Sequence, residues 1–123
     1  MPIRYLNSSV LRWPDPESVL QALRRWAHKV QRKRPAVLRI GYFGSYARGQ
    51  AGVGSDLDVI VIVEDSERPF EERRSDFNTE DLPVPTDVLV YTQKEWDDLT
   101  DEPGFQRTAN REAVWVYTAR ETL

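Results

Sequence analysis

The run LDVIVIV at residues 57–63 constrains the fold more than any other part of this chain, because six of its seven residues are apolar. A strand with apolar side chains on both faces is covered on both sides, which predicts a central strand of a sheet. Asp58 is the polar exception, and Asp56 lies two positions before it. Because alternate side chains of a strand share a face, the two carboxylates are predicted to point the same way and to repel each other. A cation or several hydrogen-bond donors are therefore expected beside them.

Turn and cap signals divide the rest of the chain into short elements. Asp15 before Pro16 fits an N-cap and a first helical position, apolar residues then recur at helical spacing, and Pro35 ends this helix. The charged segment 64–85, which contains several prolines, is predicted to be the most mobile part and to hold a short helix around 69–77. The other predicted elements are a strand at 36–43, a turn of helix after Gly44, a strand at 86–91, a helix through residue 99 opened by the capping box TQKE at 92–95, a last helix at 105–113 and a strand at 114–118.

Length and composition restrict the class of protein. At 123 residues, 40% of them hydrophobic, the chain is expected to form a single small domain. No apolar run approaches the roughly 20 residues of a membrane span, and the N-terminus does not read as a secretory signal, so a cytoplasmic location is expected. Cysteine is absent and His28 is the only histidine, which leaves oxygen ligands for any metal.

The charge of the chain is weakly negative overall and unevenly distributed. A formal net charge of −3 gives no general attraction to nucleic acid, so direct nucleic-acid binding is not expected. Six basic residues nevertheless lie close together: Arg24, Arg25, Lys29, Arg32, Lys33 and Arg34. The simplest interpretation of this basic segment is the solvated face of an amphipathic helix, with an acidic partner or nucleic acid as the alternative. For Arg48, a surface charge and a phosphate or partner contact are equally open.

Upstream of the two carboxylates, Gly44 and Ser45 lie at a predicted strand-to-helix turn. Free backbone N–H groups and the positive end of a helix dipole can hold a phosphate at such a turn, and a serine hydroxyl can donate a further hydrogen bond. Magnesium prefers oxygen ligands from one or two carboxylates, completed by water and substrate phosphates. The turn and the carboxylates together predict a site for a magnesium–nucleotide complex.

GSYARG at residues 44–49, followed by SDLDVIV at 55–61, resembles the minimal nucleotidyltransferase signature of the DNA polymerase beta-like superfamily. The signature reads G-S-x-A-R-G, a short loop, then S-D-x-D-x-x-V, and every position is met. A third family carboxylate, at the start of a later strand, matches Asp87 in TDVLVY. The resemblance begins near residue 16 and leaves residues 1–15 as an N-terminal extension. It implies an α+β nucleotidyltransferase fold in which helices flank a mixed sheet.

The resemblance also implies a function, the transfer of AMP from ATP to a hydroxyl acceptor with the help of two Mg²⁺ ions. Asp56 and Asp58 would ligate the metals, and Asp87 would complete the metal on the nucleophile side and help to deprotonate the acceptor. Gly44 and Ser45 would grip the β- and γ-phosphates.

The size of the chain leaves little room for an acceptor-binding domain, so the acceptor is expected to be held by a loop, a second copy of the chain or another protein. Small members of the family, such as antitoxins of the MntA type, often pair with an all-helical HEPN protein, so the implied acceptor is a tyrosine of a HEPN toxin. One alternative is a binding module that neutralises its partner by contact. A second alternative is an adenylyltransferase acting on a small hydroxylated molecule. Either a homo-oligomer or a hetero-oligomer fits these functions.

Two other motif interpretations fail because residues that they require are absent. A P-loop requires a Lys-Ser or Lys-Thr pair after its glycines, but Gln50 and Ala51 follow here. Asp56 and Asp58 match the first and third positions of an EF-hand loop, yet Val61 stands where that loop requires glycine. The alternative without a functional role is that the two carboxylates are solvated turn aspartates that cap a strand.

Overall fold

The computed structural model describes residues 13–99 and 112–119 of the chain. The helices and strands in these ranges are α1 (Pro16–Lys33), β1 (Val37–Phe43), β2 (Leu57–Val63), α2 (Phe70–Arg73), β3 (Thr86–Thr92), α3 (Gln93–Leu99) and β4 (Val114–Thr118). Single 3₁₀ turns follow β1 at Gly44–Tyr46 and α2 at Arg74–Asp76. Among the helices in these two ranges, none has the length and apolar character needed to cross a membrane.

The four strands form one mixed sheet in the order β3-β2-β1-β4. β1 runs antiparallel to both β2 and β4, whereas β2 and β3 are parallel. β2 therefore lies inside the sheet, as its apolar run predicts, and Leu57, Val59 and Val61 are completely buried. The predicted fold class, a mixed sheet flanked by helices, is confirmed.

α1 begins where the sequence predicts and covers one face of the sheet. The Ser18 N–H donates to Asp15 Oδ1 at 2.8 Å, which satisfies a backbone donor that has no partner within the helix. Helical spacing then places Leu23 and Trp26 on the side of α1 that packs against Val61 in the larger hydrophobic cluster. This face of the sheet is the main core of the described structure.

Aromatic side chains and α3 cover the opposite face. Ile60 and Ile62 of β2 pack with Trp96 of α3, whose ring lies 5.9 Å from that of Trp115 in a T-shaped arrangement. A Cβ atom on Gly41 would lie 2.6 Å from Cε3 of Trp115. Glycine is thus required at position 41 for the Trp115 ring to lie across β1.

The junction between β3 and α3 contains the predicted capping box. The Glu95 N–H donates to Thr92 Oγ1 at 3.1 Å, and the Thr92 N–H donates to Glu95 Oε1 at 2.8 Å. Glu95 also accepts hydrogen bonds of 2.6 and 3.0 Å from the guanidinium of Arg73, which is 6% exposed. Arg73 donates in addition to the Val90 carbonyl at 3.1 Å, so that α2 is tied to β3 and α3.

Most predicted boundaries agree with the structure. The strands at 57–63 and 114–118 have the predicted bounds, and the short helix predicted around 69–77 is α2 with its following 3₁₀ turn. The segment 64–85 contributes buried apolar residues to the core, and its mobility stays a prediction. The helix predicted at 105–113 falls at 105–111 outside the described residues, as do the first twelve residues of the N-terminal extension.

Candidate active site

Asp58 and Asp87 lie directly opposite each other on the parallel strands β2 and β3. Paired residues of neighbouring strands share a face, and the strands are about 4.8 Å apart, so both carboxylates project from the same side of the sheet. On the same side, farther along β2, lie Ile60 and Ile62, which pack against Trp96 of α3. Asp56 immediately precedes β2 and is exposed, as is Asp87, whereas Asp58 is half-buried. The structure therefore brings Asp58 and Asp87 together, and Asp56 lies two residues before Asp58.

The electrostatics of Asp58 reflect this crowding. Burial raises the pKa of the Asp58 carboxyl above its usual range, and the negative charges of Asp87 and then Asp56 raise it further. Arg48 acts in the opposite sense and lowers the pKa of Asp58. The expected repulsion between the carboxylates is thus present, and one nearby arginine offsets part of it.

The turn at Gly44 touches the Asp58 carboxylate. Gly44 has φ = +75°, a conformation that favours glycine, and an added Cβ atom would lie 2.5 Å from Asp58 Oδ2. The Gly44 carbonyl accepts hydrogen bonds from the N–H groups of Ala47 and Arg48, both at 3.0 Å, and Ser45 follows in the 3₁₀ turn. The predicted phosphate turn and the carboxylates are therefore neighbours in space, and only glycine allows this distance.

The loop between the turn and β2 is closed by its own hydrogen bonds. The Gly52 N–H donates to Ser55 Oγ at 2.9 Å, and the Ser55 N–H donates to the Gly52 carbonyl at 3.0 Å. Gly54 adopts φ = +86° within this turn. These contacts fix the chain immediately before Asp56 and thus help to set where β2 begins.

Arg48 connects the turn to the residue pair that precedes β4. Its guanidinium donates to Gln50 Oε1 at 3.1 Å and to Glu112 Oε1 at 3.0 Å. Glu112 was not anticipated from the sequence, because its contact with Arg48 spans 64 residues and no local motif marks it. The structure places Arg48 near Asp58 and gives it an acidic partner.

The potential metal ligands at this site are carboxylate oxygens. In residues 13–99 and 112–119 no group of three or more His, Cys, Asp or Glu side chains is arranged to hold a metal ion. Carboxylates are, however, the ligands that Mg²⁺ prefers, and one or two of them suffice where substrate phosphates and water complete the octahedron. The pair Asp58 and Asp87 therefore suits a cation that arrives with a nucleotide and does not form an all-protein cage.

Comparisons with known proteins concern the family and the fold of the chain. The profile of the family described as a nucleotidyltransferase domain matches residues 23–116. A protein of Sulfolobus solfataricus described as a candidate nucleotidyltransferase superposes with a TM-score of 0.63 at 19% identity, covering 84% of this chain and 83% of that chain. A chain from a toxin–antitoxin structure with AMP-PNP superposes with a TM-score of 0.55 at 18% identity, covering 79% of this chain and 74% of that chain. No curated protein sequence gives a significant match.

Proposed function

The chain belongs to the nucleotidyltransferase domain family, and from that premise we propose that it transfers AMP from ATP to a hydroxyl group. We further propose that the acceptor is a tyrosine of a partner HEPN toxin, which makes the chain an antitoxin. The observation that carries the proposal is the register of β2 and β3, which sets Asp58 opposite Asp87 beside the Gly44 turn. Cytoplasmic location belongs to the same proposal.

In the proposed reaction the acceptor oxygen attacks the α-phosphorus of ATP, and the bond from that phosphorus to the bridging oxygen of the β-phosphate breaks. Pyrophosphate leaves, and the acceptor proton passes to the exposed Asp87 carboxylate. Gly44 and Ser45 hold the β- and γ-phosphates through the backbone of the turn. Asp56, Asp58 and Asp87 would hold two Mg²⁺ ions together with the phosphates of ATP, and the bound ions would supply charge neutralisation of the triphosphate and of the leaving group.

The raised pKa of Asp58 supports this assignment. A carboxylate that is destabilised by burial and by two like charges gains more from a bound cation than an isolated, solvated one does. The fold shared with a chain from a toxin–antitoxin structure that contains AMP-PNP supports the choice of an adenine nucleotide and of a toxin partner.

The proposal is tested by incubating the chain with Mg²⁺, α-labelled ATP and its HEPN partner. We expect the label on the partner, and mass spectrometry of its peptides should assign one or more AMP groups to tyrosine. Asp58→Asn and Asp87→Asn should each abolish the transfer, whereas Asp98→Asn, an exposed change on α3, should leave it intact. Full transfer by a folded Asp58→Asn protein would refute the mechanism, and labelling of a residue other than tyrosine would refute the acceptor.

The alternative to AMP transfer is a binding module. The chain would then neutralise its partner by contact, with nucleotide binding vestigial or regulatory. Inhibition of the toxin with no change in its mass would identify this function. Transfer of AMP to a small hydroxylated molecule with no labelled protein would instead identify a small-molecule adenylyltransferase.

A further inference from the structure

The basic segment Arg24–Arg34 occupies the C-terminal half of α1 and its C-cap residue, and it is not used by the proposed reaction. No Asp or Glu occurs between residues 18 and 34. The end of α1 leads into Val37, which pairs with Val63, whereas the Gly44 turn follows Phe43, which pairs with Asp58. The basic end of α1 and the carboxylates are therefore at opposite ends of the sheet, roughly 17 Å apart along β2 at about 3.3 Å per residue.

A cavity of about 290 Å³ opens beside this end of α1. Apolar side chains of α1 and of the segment after α2 lie within it, and charged side chains surround it. The residues that line it are Trp26, Lys29, Val30, Lys33, Arg34, Asp76, Phe77, Asn78 and Asp81. A second recess next to it is lined by Lys29, Arg32, Lys33 and Asp81. Both openings thus share Lys29 and Lys33.

Several of these charges are already compensated. Lys29 forms an exposed ion pair with Asp81 at 3.4 Å. Arg34 donates to the Asp76 carbonyl at 2.6 Å, and its guanidinium lies 4.9 Å from the centre of the Phe77 ring. Arg32 and Lys33, in contrast, have no hydrogen bond or ion pair with the part of the chain that the structure describes. Their position in the last turn of α1 suits the helix dipole, but the dipole does not account for the openings beside them: Lys33 lines both the cavity and the recess, and Arg32 lines the recess.

The residues that line the cavity favour a protein over a nucleic acid as its occupant. Trp26 and Phe77 are only 3% and 9% exposed, and the Trp26 indole N–H donates to the Asn78 carbonyl at 2.7 Å, so neither ring is available to stack on a base. A protein segment does not need an exposed ring, because it can place an apolar side chain over Val30 and a carboxylate near Lys33.

We propose that the cavity and recess at the C-terminal end of α1 form a docking site for an acidic protein segment that carries an apolar residue. Charge complementarity with Arg32 and Lys33 selects the acidic residues, and the apolar lining accepts the neighbouring side chain. The inference rests on the proposed function in one respect, because it assigns this segment to the partner that receives AMP. The site holds the partner at a distance from the carboxylates and leaves them free for the reaction.

The test measures binding in the absence of nucleotide and Mg²⁺, so that its result does not depend on AMP transfer. A fluorescent peptide of about twelve residues, rich in glutamate with a central leucine, is titrated with the full chain and followed by anisotropy. Lys33→Glu should weaken the binding about tenfold, because reversing one charge at a rim replaces an attraction by a repulsion. Arg25→Glu is the matched control: Arg25 is an exposed cation of the same helix outside the cavity, and its reversal should change the affinity less than about twofold.

Two further variants keep the result interpretable. Lys33→Gln should give an intermediate affinity, and Val30→Ala should weaken binding of the leucine peptide more than binding of the same peptide with alanine in place of leucine. Lys33 is exposed, so circular dichroism should show all lysine variants folded. The proposal is overturned if the peptide does not bind at about 1 mM, if Lys33→Glu and Arg25→Glu act equally, or if a single-stranded RNA of the same length binds more tightly through Lys33.

Discussion

Replacing Gly44 by alanine tests the contact between the turn and the carboxylates most directly. The new Cβ atom would lie 2.5 Å from Asp58 Oδ2, about 1 Å inside ordinary van der Waals contact. The backbone at position 44 cannot relieve this overlap easily, because the Gly44 carbonyl accepts hydrogen bonds from the N–H groups of both Ala47 and Arg48. The Asp58 carboxylate is therefore expected to move away from the turn by about 1 Å.

The magnitude can be worked out against a matched glycine. Gly54 also has a positive φ, +86°, but an added Cβ atom there meets no atom within 4 Å. Alanine in the left-handed region costs about 1–2 kcal/mol, and the stiffer unfolded chain returns about 0.4–1 kcal/mol of that, so Gly54→Ala should lower the free energy of unfolding by about 1 kcal/mol. Gly44→Ala should lose the same amount and up to about 2 kcal/mol more from crowding against Asp58. The displaced carboxylate should reduce AMP transfer about 100-fold, since misplacing a reacting group by 1 Å has an effect of this size.

Urea unfolding and the transfer assay, run on both variants, measure these quantities. A double-mutant cycle adds a test that does not require activity: in an Asp58→Ala background the extra cost of Gly44→Ala should vanish and leave only the cost seen for Gly54→Ala. Equal transfer rates for the Gly44→Ala and Gly54→Ala proteins, or an unchanged cost in the Asp58→Ala background, would show that the turn does not constrain the carboxylate.

Two further predictions concern stability. The pKa of Asp58 is raised on folding, so the ionised carboxylate opposes folding at neutral pH. Asp58→Asn should therefore be more stable than the parent at pH 7. This advantage should disappear as the pH falls through the raised pKa to below 3.8, because the parent carboxyl is then protonated in both the folded and the unfolded state. Guanidinium unfolding across this pH range measures the difference, and a less stable Asn variant at pH 7 would contradict it. Arg73→Met should lose about 2–4 kcal/mol, because it removes a donor to the buried Val90 carbonyl and the partner of Glu95, while exposed Arg74→Met should change stability by less than about 0.5 kcal/mol. The Glu95 pKa is lowered mainly by Arg73, so the loss of stability in Arg73→Met should shrink as the pH falls below 4.5 and Glu95 becomes protonated. A loss that stays constant with pH would mean that the ion pair with Glu95 is not its cause.

The sequence predicts best where a local pattern alone decides the structure. The bounds of β2 follow from an apolar run that glycines interrupt before Ser55, and the start of α3 follows from the side chains of Thr92 and Glu95, three residues apart. Arg73 is the opposite case: it lies in a highly charged segment and is nevertheless buried, because its partners Val90 and Glu95 are distant in sequence. No local rule identifies such a contact, since its stability depends on strands that must already be paired.

The geometry of the candidate site is predictable from the sequence only in part. Alternation along β2 predicts that Asp56 and Asp58 share a face, but the distance from Asp58 to Asp87 depends on the register of two strands that are separated by a long connection. That register is fixed by burial, because a slip of one residue would move Val88 and Val90 out of the main core and place Asp87 within it. The cost of burying that carboxylate opposes any such slip. The core that stabilises the sheet therefore also holds two mutually repelling carboxylates together, and it does so at a turn where glycine is required for Asp58 to fit.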